Sequence, residues 1–304
     1  MSDLLIRRRN LLMRKQEEDL NIRAVCFKAD GEQTVELVKH NYTSSKVFQY
    51  SYDGVTWESW DMSPLPFGGK TKVYVRGYNK TLGWDLSTYT NFVFGTDAYV
   101  NVSGVVESLL DGDNEVLELG TQGVQQGILR QLFYQQTALR SAKNLRFEAQ
   151  STAANVVSVY ALMFDGCSNL LYAPKVLPAN DFKGSYNYQY MFRDCKSLIT
   201  APELPATTLG PKCYQYMFYG CTSLVNAPEL PATTLAPGCY QYMFYGCTSL
   251  KTVRCKAKVK AADSTDHWLW YVAASGTFYG YSEYDWSSEA SGIPKTWTFE
   301  ELTD

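Results

Sequence analysis

Glu203 and Glu229 occupy identical settings, Ala-Pro-Glu-Leu-Pro-Ala-Thr-Thr-Leu, 26 residues apart. Two carboxylates brought to one face in this way have the makings of a glycosidase acid/base pair. The same spacing also follows from repetition alone, and like charges on an exposed face otherwise stay in water. No Gly-x-x-x-x-Gly-Lys-Ser/Thr loop, His-Glu-x-x-His pair or Gly-x-Ser-x-Gly elbow offers another chemistry. The acidic stretch Asp-Gly-Asp-Asn-Glu-Val-Leu-Glu, 111–118, lacks EF-hand spacing and reads as a solvated turn, with calcium as the lesser alternative. The expectation is a protein without catalysis, and no cofactor or metal is assigned.

Eight cysteines are the next candidates. Cys195, Cys221 and Cys247 recur every 26 residues, as do Cys213 and Cys239, while Cys26, Cys167 and Cys255 stand outside that register. The only histidines, His40 and His267, lie outside the repeats, and the Cys213 to Cys221 spacing is no zinc knuckle. Buried, reduced thiols packing as small hydrophobes are the main reading, with disulfides as the alternative.

Tyrosine is the third kind. There are 23 tyrosines against 28 lysines and arginines together, which suits durable contacts or polysaccharide stacking better than catalysis. β-rich structure accounts for the same enrichment. Tyr214 and Tyr240 repeat, as do Tyr219 and Tyr245. Tyr214 shares a spacing of four with Phe218, which points inward, whereas Tyr219 and Tyr245 adjoin Gly220 and Gly246 and point outward. These four tyrosines, with Glu203 and Glu229, are the candidate binding residues.

What positions them is a repeat. Residues 201–224 and 227–250 differ only at Gly210/Ala236 and Lys212/Gly238. Such a period signals a solenoid whose units bury their apolar sides against each other. The pairs Phe133/Leu139, Phe164/Leu170, Phe192/Leu198, Phe218/Leu224 and Phe244/Leu250 give five units. In each, Cys-Tyr-Gln-Tyr-Met-Phe-Tyr-Gly-Cys predicts a short helical turn closed by glycine. A proline-broken extended segment and a return turn follow, the logic of a leucine-rich repeat.

The flanks complete the expected organisation. Residues 1–23 read as a helical arm, with Leu4 and Leu5 seven residues before Leu11 and Leu12, and Arg7, Arg8 and Arg9 between them. It is too short to be stable alone, so it should dock on a partner or on its own copies. Glu17, Glu18 and Asp19 follow the basic run and argue against nucleic acid. No apolar h-region follows the arginines, so a secretory signal is not expected, and nothing is apolar enough to span a membrane. Residues 24–102 predict a small β-sandwich with a turn at Asp53-Gly54. Trp57, Trp60 and Trp84 are core or a stacking platform, with core preferred for Trp57. Residues 103–255 are the repeat region. Residues 256–304, with Trp268, Trp270, Trp286 and Trp297, are the expected aromatic cap. The fold class is mainly β with short helices: sandwich-like module, short solenoid, cap.

The units Met-Phe-Tyr-Gly-Cys-Thr-Ser-Leu and Leu-Pro-Ala-Thr-Thr-Leu resemble the BspA-like leucine-rich repeat proteins of gut Bacteroidetes and of their phages and prophages. The match is strongest over Met191–Leu198, Met217–Leu224 and Met243–Leu250 and weaker over Met163–Leu170 and Phe133–Leu139. The segments Tyr50–Trp57, Val102–Asp113 and Ser275–Trp297 look like flanking modules of the same group. The resemblance implies surface display, adhesion and host recognition, and supplies no active-site residue. It implies a virion or tail protein, released by lysis, that binds a bacterial surface glycan or protein. The arm would hold other virion proteins or further copies of the chain. Structural decoration or stiffening of the virion, and a bacterial surface adhesin, are the alternatives.

Overall fold

A computed structural model describes residues 22–41, 46–96, 98–111, 125–148, 156–178, 184–259, 261–283, 285–286 and 292–303. The expected arm residues Leu4, Leu5, Arg7, Arg8, Arg9, Leu11 and Leu12 lie outside them, as does acidic stretch 112–118. The protein is mainly β, with several open sheets. Among the described residues the one α-helix is α1, Ser108–Asp111.

Alternation in the first hundred residues builds two facing sheets. Strands β1 (Val25–Ala29), β3 (Phe48–Ser51), β4 (Glu58–Trp60), β6 (Lys72–Gly77), β8 (Val100–Val105) and β10 (Leu139–Arg146) join in the order β10-β8-β1-β6-β3-β4. Strands β2 (Thr34–His40), β5 (Leu65–Pro66) and β7 (Tyr89–Phe94) join as β5-β2-β7. Period-two patterning turns Phe27 toward Phe92 and Phe94, which it meets edge-on at 4.7 and 5.3 Å. Asp53 does make the β3–β4 turn, its carboxylate accepting the N–H groups of Val55 and Thr56. Those bonds hold its pKa well below the usual carboxylate range. Gly104, at φ +92, lets β8 press against β1, since a Cβ there would meet the Ala24 carbonyl oxygen at 1.9 Å.

The three tryptophans separate. Trp60 is buried and donates to the Ser63 carbonyl. Trp84 is exposed. Trp57 corrects the expectation of core. It is half-buried on the outer side of β1 and β6, beside Cys26 and Tyr74, with the Arg76 guanidinium 4.1 Å above its ring. It lies on the face of this sheet turned away from the second one.

The expected boundary at 102/103 is no break in the core. β10 comes from the first repeat unit, yet it pairs in parallel with β8, and one hydrophobic cluster runs from Val25 to Trp297. Strands β9 (Gln125–Gln126) and β11 (Val156–Val157) make a small parallel pair. At the far end β12 (Thr252–Arg254), β13 (Thr277–Gly280) and β14 (Thr298–Glu301) form a parallel sheet.

The predicted helical turn is corrected. Cys213–Cys221 is a chain of tight turns in which every fourth residue is left-handed: Lys212, Tyr216 and Gly220 at φ 54°, 57° and 72°. Gly238, Tyr242 and Gly246 repeat the pattern. Each turn closes by an i→i−3 bond, such as Met217 N–H to the Tyr214 carbonyl. The left-handed residue then redirects the chain, so alternate N–H groups point to the neighbouring unit instead of up a helix axis. Tyr214, Tyr216, Phe218 and Gly220 donate to the carbonyls of Cys239, Gln241, Met243 and Tyr245. Methionines 191, 217 and 243 accept at equivalent rungs, from Phe164, Phe192 and Phe218. The spacing of four seen in the sequence is therefore real, but its cause is the turn period. On the opposite side the prolines restrict pairing to single parallel bridges such as Val176↔Glu203 and Leu230↔Cys255.

The rungs extend beyond the expected five. Asp263, His267 and Tyr271 are left-handed in the same rhythm, and Tyr240, Tyr242, Phe244 and Gly246 donate to Ser264, Asp266, Trp268 and Trp270. The segment expected as cap thus opens with another rung. Leu269 follows Phe244 in that register and is buried.

Three columns fill the interior. Phe92, Phe133, Phe164, Phe192, Phe218 and Phe244 stack face to face at 5.3–5.6 Å. Tyr160, Tyr188, Tyr214, Tyr240, Trp268 and Trp286 stack at 5.5–6.2 Å. Each ring contact contributes about 0.5–1.5 kcal/mol beyond area burial. Cys167, Cys195, Cys221 and Cys247 form the third, each thiol donating to the carbonyl of Phe133, Phe164, Phe192 or Phe218 in turn, at 2.9–3.1 Å. All eight cysteines are buried. The cap tryptophans Trp268, Trp286 and Trp297 are buried with their indole N–H groups on carbonyls.

Candidate functional site: the outer aromatic face

The turn rhythm sorts the tyrosines. Tyr214 and Tyr240 are 2% and 1% exposed, so these two binding candidates are corrected to core residues. Their inward direction follows from sharing the four-residue phase of Phe218 and Phe244. Burial pushes their phenols well above the ordinary value. Tyr219 and Tyr245 are half-buried and turn outward, stacked at 4.9 Å with 2° between planes.

A second outer row was not foreseen. Tyr190, Tyr216 and Tyr242 stack at 4.7 Å per step, and His267 continues the row at 5.0 Å. Arg193 closes its other end, guanidinium 4.7 Å from the Tyr190 ring. Tyr216 and Tyr242 stand four residues before Gly220 and Gly246, in the same left-handed phase, and that spacing was the available signal. A non-glycine residue in this conformation costs about 1–2 kcal/mol, which ring stacking of similar size offsets. Burial, then the neighbouring tyrosines, push the Tyr216 phenol up to about 12. The rows touch: Tyr216 meets Tyr219 at 5.8 Å, and Tyr242 meets Tyr245 at 5.7 Å. Trp270 and Tyr271, from the added rung, finish the face at its C-terminal end, 39% and 64% exposed.

A polar ladder runs alongside. Gln189 donates to Gln215, Gln215 to Gln241, and Gln241 to the Asp266 carboxylate at 3.2 Å. His267 Nδ1 lies 2.7 Å from Asp266 Oδ1, within ion-pair reach but not aligned for a hydrogen bond. Arg193 grips Asp165 through two bonds of 2.9 and 2.6 Å. Asp165 is 3% exposed, and burial raises its pKa while Arg193 pulls it back.

Glu203 and Glu229 are elsewhere, lining an open groove of about 500 Å³ with Pro202, Pro205, Pro228 and Pro231. Both side chains are exposed, and Glu229 pairs with Lys256 at 2.8 Å. The arrangement has the character of a solvated charged face, with both carboxylates open to water. Among the described residues no three His, Cys, Asp or Glu side chains are grouped to hold a metal ion. None of the described helices is long and apolar enough to cross a membrane. No protein-family model, curated protein or solved structure matches the chain.

Proposed function

We propose that this chain is a non-enzymatic, displayed protein: a solenoid of the BspA-like leucine-rich repeat kind that binds a bacterial surface glycan or protein through its outer aromatic face. The observation carrying the reading is the double row Tyr190/Tyr216/Tyr242 and Tyr219/Tyr245. Tyrosine gives rigid, amphipathic contact area at low entropy cost. A regular row presents one contact several times to a repetitive ligand, and weak contacts then add. Left-handed backbone at Tyr216 and Tyr242 supports it too, because glycine would hold the rung with less strain. The resemblance supports a role on a virion or its tail, with residues 1–23 proposed as the attachment arm.

A second reading has its own support. The phenylalanine column runs unbroken from the sandwich through the repeats, and the tyrosine column runs from Tyr160 into the cap, as suits a stiff decorating element. Two measurements separate them. Immunogold labelling at the distal tail, with host adsorption abolished by Tyr216→Ala/Tyr242→Ala, supports receptor binding. Capsid labelling, or adsorption unchanged in that variant, supports decoration.

A further inference from the structure

We infer that the C-terminal end of the outer face is a stacking subsite for a neutral glycan, with Tyr271 as its platform and Trp270 beside it. The inference rests on the binding reading above and names its ligand class. Along the long row the ring faces are already covered. Tyr216 lies between Tyr190 and Tyr242 at 4.7 Å on each side. Tyr242 lies between Tyr216 and His267, and Tyr190 carries Arg193 on its outer side. Those rings offer solvent their edges and hydroxyls. Tyr271 is different: it meets Tyr245 edge-on, at 5.0 Å and 72°, and with 64% exposure it presents far more ring to solvent than its neighbours.

A pyranose has an apolar side of C–H groups and a rim of hydroxyls, so its sites pair an aromatic face with a few polar groups. Here the polar groups beside the platform are the hydroxyls of Tyr271 itself and of Tyr245, the ring it meets. An anionic polymer would need an available cation. Among the described residues of the row, the basic side chains each face a carboxylate already: Arg193 grips Asp165, and the His267 ring lies 2.7 Å from Asp266. That balance selects a neutral sugar.

The test uses the full chain with laminarin, hydroxyethyl cellulose, mannan and galactan, and polygalacturonate as the acidic control. Tryptophan fluorescence and calorimetry are the readouts. At least one neutral polymer should bind and shift the emission. Tyr271→Ala should weaken it about tenfold, and Tyr271→Phe, which keeps the ring, should bind nearly as wild type. Stronger binding of polygalacturonate, silence of all four neutral polymers, or full binding by Tyr271→Ala overturns the inference. Whole-cell adsorption separates this from failure of the broader reading. If adsorption survives periodate oxidation of the cells but not protease treatment, the receptor reading stands and the glycan subsite falls. If the chain adsorbs to no cells and binds no polymer, both fall.

Discussion

Phe133 lies on Phe92 with ring centroids 5.6 Å apart and 17° between planes. The contact joins the first repeat unit to the second of the two facing sheets, and Phe27 meets both rings edge-on. With β10 also paired to β8, the two facing sheets and the repeats share one core. Phe133→Ala should therefore destabilise the whole protein, by about 3–5 kcal/mol. Amide exchange should quicken together in Val25–Ala29 and around Phe218. Loss of protection in one region alone would show two independent units.

Burial raises the buried thiols and phenols, Cys213 and Cys255 to about 12, and Cys195, Cys221, Tyr214 and Tyr240 well above their ordinary values. In the unfolded chain thiols titrate near ~8.5 and phenols near ~10. Between those values and the raised ones the native state holds more protons, so stability falls as pH rises. It is complete below about pH 8.5 and then drops by up to ~1.4 kcal/mol per pH unit for each group. The urea midpoint should hold from about pH 7 to about pH 8 and fall steeply by about pH 10. An unchanged midpoint at the alkaline end would mean these groups are not buried.

Asp165 and Arg193 form a pair with one partner deep and one shallow. Removing Arg193 leaves a buried carboxylate unpaired, a loss of about 3–5 kcal/mol. Because burial raises the Asp165 pKa, acid protonates the carboxyl in the folded protein and lifts the penalty. The deficit of Arg193→Ala should thus be smaller near pH ~4 than near pH ~7. Asp165→Asn in the same background should recover stability at neutral pH. Equal deficits at both pH values would contradict a charge penalty.

The interior was largely legible, because repetition every 26 residues displays the Phe and Cys columns directly. Tyr214 could be turned inward from its spacing to Phe218. The local backbone could not be read so easily. A spacing of four is shared by an α-helix and by a run of turns with every fourth residue left-handed, and only Gly220 and Gly246 hinted at the latter. The added rung was hidden because Leu269 replaces the column phenylalanine and no repeat wording survives around it. Trp270 was read only as part of the cap, and Tyr271 was not singled out, for that reason. Trp57 was misjudged because large aromatic residues are also used to cover the outer side of a sheet, here with Arg76 on top.

The sharpest prediction sets inner against outer tyrosines of the same unit. Tyr214 is buried between Tyr188 and Tyr240, so Tyr214→Ala leaves a cavity in the column and should cost about 3–5 kcal/mol. Tyr219 and Tyr245 stack only on the outside. Their double alanine variant forfeits surface ring contacts of about 0.5–1.5 kcal/mol each at most but opens no interior cavity, and should melt nearer to wild type than Tyr214→Ala. Adsorption should reverse the order. The outer variant should fail to adsorb although folded, while Tyr214→Ala should adsorb normally below its lowered melting temperature. Adsorption lost only where stability is lost would make the tyrosine rows structural and leave decoration as the role of the face.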